Sequence, residues 1–167
     1  MKPWILLAGA LAAFPCSAAQ TLVTERTLSI DAAQQAARVA LEHCRKEGHR
    51  VTVTVLDHAG RTKVVLRDDG AGLHSVQHSL NKAYTALTYR EPSGDFGKRS
   101  TASATGAGAL HLDKVATAAG GLPIRAGDDV VGAIGVSGSR GTSGAPGGAA
   151  DAKCGHAGID AISKGLN

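Results

Sequence analysis

The sequence predicts an α+β domain in which an antiparallel sheet is flanked by helices. Two hairpins carry this prediction, since each joins two strand-like segments through a short turn that contains glycine. Segments with helical apolar spacing lie before, between and after the hairpins. The resulting order is α-β-β-α-(irregular)-β-β-α, in which helices are grouped around hairpins. This order favours an antiparallel sheet over a parallel doubly wound fold.

The first helix is predicted from a clear start, a periodic stripe and a clear end. Ser29 is a typical N-cap, and Asp31 places negative charge in the first turn, where it suits the helix dipole. Gly48 ends the segment as a C′ residue. The buried stripe is predicted to contain Ile30, Ala33, Ala37, Ala40, Leu41 and Cys44.

The first hairpin is predicted from the alternation of Val and Thr. Residues 51–57 are β-branched almost throughout, which is typical of a strand. A turn at 58–60 leads into a second strand at 61–67, and residues 68–72 form an acidic, glycine-containing loop.

A second helix is predicted at 73–89 and ends before Pro92, because the residue before a proline disfavours the α conformation. Its predicted apolar stripe contains Leu73, Val76, Leu80, Ala83, Tyr84 and Leu87. Residues 93–119 are small, polar and rich in Gly and Ala, so we expect irregular structure with short helical pieces.

The second hairpin and a last helix complete the chain. Strands are predicted at 121–125 and 129–136 around a turn at 126–128. A Gly/Ser-rich segment at 137–148 leads into a helix from about 149 to 164, with Ala152, Ile159 and Ile162 directed inward.

Composition bounds the class of protein. The 167 residues are 43% apolar and 19% charged, with a formal net charge of +4, which suits a single folded domain. The chain lacks a dense Lys/Arg run, so the charge pattern does not favour a nucleic-acid partner.

The N-terminus has the pattern of a secretory signal peptide at 1–19. Lys2 supplies the positive region, residues 4–14 are apolar, and Ser17 and Ala19 are small residues at a cleavage site. The apolar run is short for a bilayer span, although an uncleaved anchor is the alternative. We therefore expect a periplasmic or secreted protein with a leader at 20–28, one domain at 29–167 and no membrane span after cleavage.

Two cysteines remain after cleavage removes Cys16. Cys44 and Cys154 both fall on predicted helices. In an oxidising compartment they can form a disulfide. The alternative is a pair of buried, unbonded thiols that act as small apolar residues.

Several motifs, in order, resemble the GlcG/HbpS-like family, which includes the C-terminal domain of PduO-type proteins. Residues 55–60 are similar to its V-V-D-x-x-G hairpin, and the resemblance covers roughly residues 28–166. The other matching segments are 69–71 with Ser75 and 82–86 (D-G-A…S…K-A-x-T-A), 120–124 (G-G-x-P-I), 130–138 (V-V-G-A-I-G-V-S-G) and 151–154 with 157–158.

The resemblance implies a sheet of about five antiparallel strands flanked by helices, assembled into a homo-oligomer. It also implies haem binding, with roles in haem sensing, storage or degradation, because several relatives bind haem. Other relatives sit in catabolic operons. The alternative is therefore an accessory protein or enzyme that acts on a small organic acid without haem; whether the chain is an enzyme stays open.

The strongest candidate ligands are His74 and His78, which are four residues apart on the second predicted helix. Such a pair can chelate a metal, or one imidazole can bind haem iron. On a helical wheel the pair lies opposite the predicted apolar stripe. The functional hypothesis is therefore a haem or divalent-metal site on this face, at a subunit boundary. The alternative is a solvated surface that carries two histidines.

Lys82 and His111 complete the candidate cofactor-binding set. Lys82 lies four residues after His78, and its place in the family's K-A-x-T-A motif makes it a candidate contact for a haem propionate or a substrate carboxylate. The alternative is a solvated lysine or an ion pair with the loop at Asp68 and Asp69. His111 lies in the irregular segment, where relatives shape a pocket. No catalytic constellation is evident in the sequence.

Overall fold

The computed structural model describes residues 22–102, 104–141 and 147–166, with the backbone alone described at 104, 105 and 147. The predicted signal peptide at 1–19 and the central part of the Gly/Ser-rich segment, 142–146, lie outside these residues. Within the described part, no helix is long and apolar enough to cross a bilayer.

The helices and strands follow the predicted order. The helices are α1 (Ile30–Lys46), α2 (Ser75–Tyr89), α3 (Ser93–Thr101), α4 (Ala104–Ala107) and α5 (Gly147–Ile162). The strands are β1 (Thr52–Asp57), β2 (Thr62–Arg67), β3 (Gly121–Ala126) and β4 (Asp129–Ser137). Short 3₁₀ turns lie at Gly108–His111 and Ser163–Gly165.

The strands form one antiparallel sheet in the order β2-β1-β4-β3, which confirms the predicted fold class. The sheet has four strands in the described residues, against the five or so that the resemblance implied. In the described part of the leader, residues 22–28 form no helix or strand, and Leu28 N–H donates to Val131 O at 3.2 Å.

The two faces of the sheet carry different layers because side chains alternate along each strand. Val53 and Val55 face α1 and α5, in a core that includes Ile134 and Val136. Leu56 and Ala133 face α2, in a smaller cluster with Ala83 and Ala86. Helix α2 therefore lies on the face opposite α1 and α5, where it contacts β1, β4 and β3.

The predicted apolar stripe of α2 is confirmed from Leu80 onward, where Leu80, Ala83, Tyr84 and Leu87 belong to or pack against the core cluster, but it is wrong at its start. Leu73 precedes the helix and is 89% exposed, and Val76 is 39% exposed. The buried residues of α2 are Ser75, Ser79, Lys82, Ala83, Thr85 and Ala86.

The reason is the polar character of the opposing strand. The side chains of Thr52 and Thr54 point toward α2 and exchange hydrogen bonds with Ser75 and Ser79, at 2.7 Å each. The hydroxyl pairs satisfy one another, so a polar helix face can be buried there.

Close approach of α2 to the sheet depends on Gly135. A Cβ at this position would overlap the carbonyl oxygen of Ser79 and lie 2.7 Å from Ala83 N. We expect Gly135→Ala to destabilise the protein by about 1–3 kcal/mol through overpacking, measured by urea unfolding. The control is Gly108→Ala, where a Cβ meets nothing within 4 Å. Equal unfolding midpoints for the two variants would contradict this account of the contact.

Candidate functional site

An open cavity of about 760 Å³ lies where β4 ends, beside the first turns of α2 and α5. The turn after α1 and the loop before α2 form the opposite wall. The lining residues are Gly48, His49, Arg50, Gly70, Gly72, His74, His78, Lys82, Ala118, Ser137, Gly138, Ser139, Arg140, Gly148 and Asp151. His74, His78 and Lys82 therefore lie in one cavity.

His78 is the more firmly held of the two histidines. It is half-buried, and its Nδ1 forms a hydrogen bond with Ser137 Oγ at 3.1 Å. Ser137 is itself buried at the end of β4. When Nδ1 carries the proton and donates to Ser137, the Nε2 lone pair is available to a ligand.

The charge state of His78 is set mainly by its burial. Desolvation lowers the pKa of His78 below its ordinary 6.5, and the nearby Lys82 and His74 lower it further, against the opposing effect of Asp151. His78 is accordingly a neutral imidazole at neutral pH, the form that binds metals.

This lowered pKa predicts a pH-dependent stability. The unfolded chain binds a proton at His78 near pH 6.5, whereas the native chain binds it only at lower pH. Unfolding therefore takes up a proton in that window, and the free energy of unfolding falls as the pH decreases below about 6.5. We expect His78→Asn to show a shallower fall in urea unfolding between about pH 8 and pH 5. Parallel curves for the two proteins would contradict this assignment.

His74 is more loosely placed. It occupies the N-cap position of α2 and is exposed, and its carbonyl accepts the N–H of His78 at 3.0 Å. The expectation that the histidine face lies opposite the core is wrong, because Lys82, one turn beyond His78, is only 2% exposed. Along this side of the helix the side chains become progressively more buried, from the exposed His74 through the half-buried His78 to the buried Lys82.

Lys82 forms a buried ion pair at the floor of the cavity. Its Nζ lies 2.8 Å from Asp151 Oδ2 on α5 and donates to Val136 O at 3.0 Å. The second carboxylate oxygen, Oδ1, accepts the N–H of Ser139 at 3.0 Å. Lys82 is thus neither solvated nor paired with the acidic loop.

Asp68, the partner proposed for Lys82 from the sequence, is bound elsewhere. Its carboxylate accepts two hydrogen bonds from Arg45, at 2.7 and 3.0 Å. The Arg45 guanidinium holds the pKa of Asp68 below its ordinary value. Asp68 therefore ties α1 to the loop before α2 and leaves Lys82 to Asp151.

The cavity is rich in basic groups. Arg50 and Arg140 are exposed at its edge, with Arg50 Nε 4.0 Å from Asp68 Oδ2, and His49 joins His74 and His78 in its wall. The carboxylate among the lining residues is Asp151, which Lys82 already neutralises. Ala118 provides the apolar side chain of the wall. This arrangement suits a ligand that carries anionic groups.

His111 lies outside this arrangement. It is exposed on the 3₁₀ turn Gly108–His111 and is not among the lining residues. Among the described residues, no group of three or more His, Cys, Asp or Glu side chains could hold a metal ion. A divalent metal at His74 and His78 would therefore lack a third His, Cys, Asp or Glu ligand among the described residues.

The sequence missed several residues of the site. Ser137, Ser139 and Asp151 hold the histidine and the lysine in place, and Arg50 and Arg140 add charge. Ser137 and Asp151 stand inside motifs that identify the family, but their roles depend on contacts across the fold. The signal available in the sequence was that Ser137 and Asp151 are polar residues inside those family motifs.

Cys44 and Cys154 form a disulfide in the structure. It connects the last turn of α1 to α5, and both residues are buried. The alternative of two unbonded thiols does not describe this structure.

Known proteins share both the sequence pattern and the fold. A family model described as "Haem degrading protein HbpS-like" matches residues 28–160. A curated Citrobacter freundii protein, described as an uncharacterised 15.0 kDa protein of the dhaT-dhaS intergenic region, is 32% identical over 114 residues, 67% of this chain and 80% of that one.

Two solved structures show the same architecture. A double mutant of HbpS from Streptomyces reticuli is 34% identical with a TM-score of 0.77, covering 90% of this chain and 98% of the other. PduOC in complex with haem is 25% identical with a TM-score of 0.71, covering 81% of this chain and 95% of the other.

Proposed function

The chain belongs to the HbpS-like family, and on that premise we propose that it binds haem in the cavity between α2 and the start of α5. The observation that carries the proposal is His78, a half-buried imidazole held neutral at a cavity wall with its Nδ1 engaged by Ser137. The haem complex of the related PduOC supports the choice of ligand.

The residues present fit the polar parts of haem. An imidazole suits the iron, and basic side chains suit the two propionates. His78 would hold the iron, with His74 as the second candidate ligand, and Arg50 and Arg140 would bind the propionates. Lys82 is paired with Asp151 on the cavity floor, so this pair adds no net charge there. The bound group would supply a redox-active iron with a strong Soret absorption.

The cavity wall offers the porphyrin ring few apolar side chains, since Ala118 is the one among the lining residues. Leu73, which immediately precedes His74, is 89% exposed, and Val76 is 39% exposed. We propose that the protein is a homo-oligomer in which such side chains are covered. Light scattering is expected to give a mass above that of one chain, and Leu73→Ser is expected to reduce it.

Export is part of the proposed function. The predicted signal peptide at 1–19 directs the mature chain to the periplasm or the medium, and the buried disulfide suits an oxidising compartment. A haem binder there can serve sensing, storage or degradation. Loss of the Soret band on addition of ascorbate in air would assign degradation, whereas a stable band would assign storage or sensing.

The test is a haem titration of residues 20–167, followed by absorbance. We expect a saturable Soret shift at one haem per chain or per two chains. His78→Ala is expected to weaken binding at least tenfold, as is the His74→Ala, His78→Ala double variant. His111→Ala is the matched control and is expected to bind as the native chain does, since His111 lies outside the cavity. Full affinity in the double variant would exclude this site.

A second candidate function rests on the polar wall of the cavity. Ala118 is its apolar side chain, and the basic groups outnumber the one carboxylate, so a small organic acid also suits it. An absent Soret shift together with calorimetric binding of a di- or tricarboxylate would favour this accessory or enzymatic role.

A further inference from the structure

The disulfide lies directly behind the wall of the cavity. Cys44 Sγ is 3.7 Å from Ser139 Oγ, and Ser139 lines the cavity. Cys44 and Cys154 are 0% and 1% exposed, so the half-buried Ser139 separates the disulfide from the ligand space. A covalent link between two helices therefore touches a residue of the site.

The same turn of α5 carries the disulfide and the floor of the cavity. Asp151 lies three residues before Cys154, so the two side chains share one side of the helix. Asp151 accepts the N–H of Ser139 (3.0 Å) and pairs with Lys82 (2.8 Å). Ser139 is thus held from two sides, by the disulfide through its Oγ and by Asp151 through its N–H.

The far end of α5 is held by close packing. A Cβ at Gly158 would lie 2.5 Å from Ala36 O and 3.1 Å from the Ala40 Cβ, which shows how tightly α5 meets α1 there. The disulfide lies one turn closer to the cavity, where it fixes α5 against the last turn of α1. The cavity end of α5 also packs closely, since a Cβ at Gly148 would lie 3.0 Å from Ala119 O, and the disulfide adds a covalent link there.

We propose that the Cys44–Cys154 disulfide positions Ser139 and Asp151 and thereby controls the affinity of the cavity for haem. This inference rests on the proposed haem function. Reduction by a dithiol transfers two electrons and two protons to the cystine; the S–S bond breaks, two thiols form, and the dithiol becomes a disulfide. In the reduced state the wall of the cavity loses its fixed position, so binding weakens while the sheet stays intact.

The experiment compares the native chain, residues 20–167, before and after reduction with dithiothreitol. Haem affinity is expected to fall about tenfold on reduction. In the same samples without haem, hydrogen exchange of the Ser139 amide is expected to accelerate at least tenfold and to remain faster than that of the β1 and β4 amides, whose exchange follows the lowered global stability. The Cys44→Val, Cys154→Ala variant keeps apolar volume between the helices and is measured in sucrose to maintain the fold. Its haem affinity is expected to be as low as that of the reduced native chain.

The controls separate positioning from general destabilisation. Ile162→Ala loosens the buried packing of α5 about three turns from Asp151 and is expected to leave haem affinity within about twofold. Unchanged Ser139 exchange on reduction, or unchanged haem affinity despite faster exchange, would overturn the inference. Failure of the oxidised chain to bind haem would instead contradict the proposed function. Hydrogen exchange of the Ser139 amide would still show whether the disulfide positions the cavity wall.

Discussion

Replacing Lys82 with methionine is expected to destabilise the protein by about 3–5 kcal/mol, because it leaves the Asp151 carboxylate buried without its counter-charge. The side chains of Lys82 and Asp151 are 2% and 4% exposed, so water cannot replace the lost interaction. The remaining hydrogen bond to the carboxylate, from Ser139 N–H, is a weak substitute for an ammonium group. Urea unfolding of the native and variant chains measures the difference.

Two further variants test the cause of this loss. Lys98→Met removes the lysine of an exposed pair with Asp95, in which the side chains are 83% and 58% exposed, and little change is expected. The double variant Lys82→Met, Asp151→Leu removes both charges and is expected to recover much of the stability. If the Lys82→Met variant has the same urea unfolding midpoint as the native chain, the ion pair does not stabilise the floor of the cavity.

Reduction of the disulfide is expected to lower the free energy of unfolding by about 4–5 kcal/mol, because the bond closes a long loop in the unfolded chain. The bonded cysteines are separated by 110 residues, so the unfolded chain gains considerable freedom when the bond opens. The comparison is urea unfolding with and without dithiothreitol.

The Cys44→Ala, Cys154→Ala variant provides the control for this measurement. Its unfolding midpoint is expected to match that of the reduced native chain and to be insensitive to dithiothreitol. If the oxidised and reduced chains had the same unfolding midpoint, the disulfide would not stabilise the protein by restricting the unfolded chain. Reduction is expected to weaken haem binding even at urea concentrations where the reduced chain stays folded, which separates the stability effect from the positioning effect.

The helices and strands could be predicted from the sequence because their signals are local. Alternation of Val and Thr marked β1, and Ser29 with its periodic alanines marked α1, whose cap the structure confirms through the Ser29 Oγ hydrogen bond to Ala32 N at 3.1 Å. The segment 93–119 was expected to hold short helical pieces, and α3, α4 and a 3₁₀ turn lie there. The signal peptide and the homo-oligomer remain predictions.

The buried face of the first turns of α2 could not be predicted from apolar spacing, whereas Leu80, Ala83, Tyr84 and Leu87 do meet the core. Burial of Ser75 and Ser79 depends on Thr52 and Thr54, which lie on a strand that sequence spacing alone does not bring to the helix. The close approach also needs Gly135, from the other hairpin. The apolar stripe therefore missed the buried hydroxyl groups of the first turns, because hydroxyl groups that pair with one another are buried at little cost.

The sequence by itself determined the order of elements, the antiparallel hairpins, the family resemblance and the presence of His74, His78 and Lys82 on one helix side. Only the tertiary structure decided that Lys82 pairs with Asp151, 69 residues away, and that Cys44 bonds to Cys154, 110 residues away. The physical reason is that helix and strand signals arise among near neighbours in the chain. The partners of Lys82 and Cys44 both lie on α5, far away in the chain, so they depend on how α5 packs against α1 and the sheet.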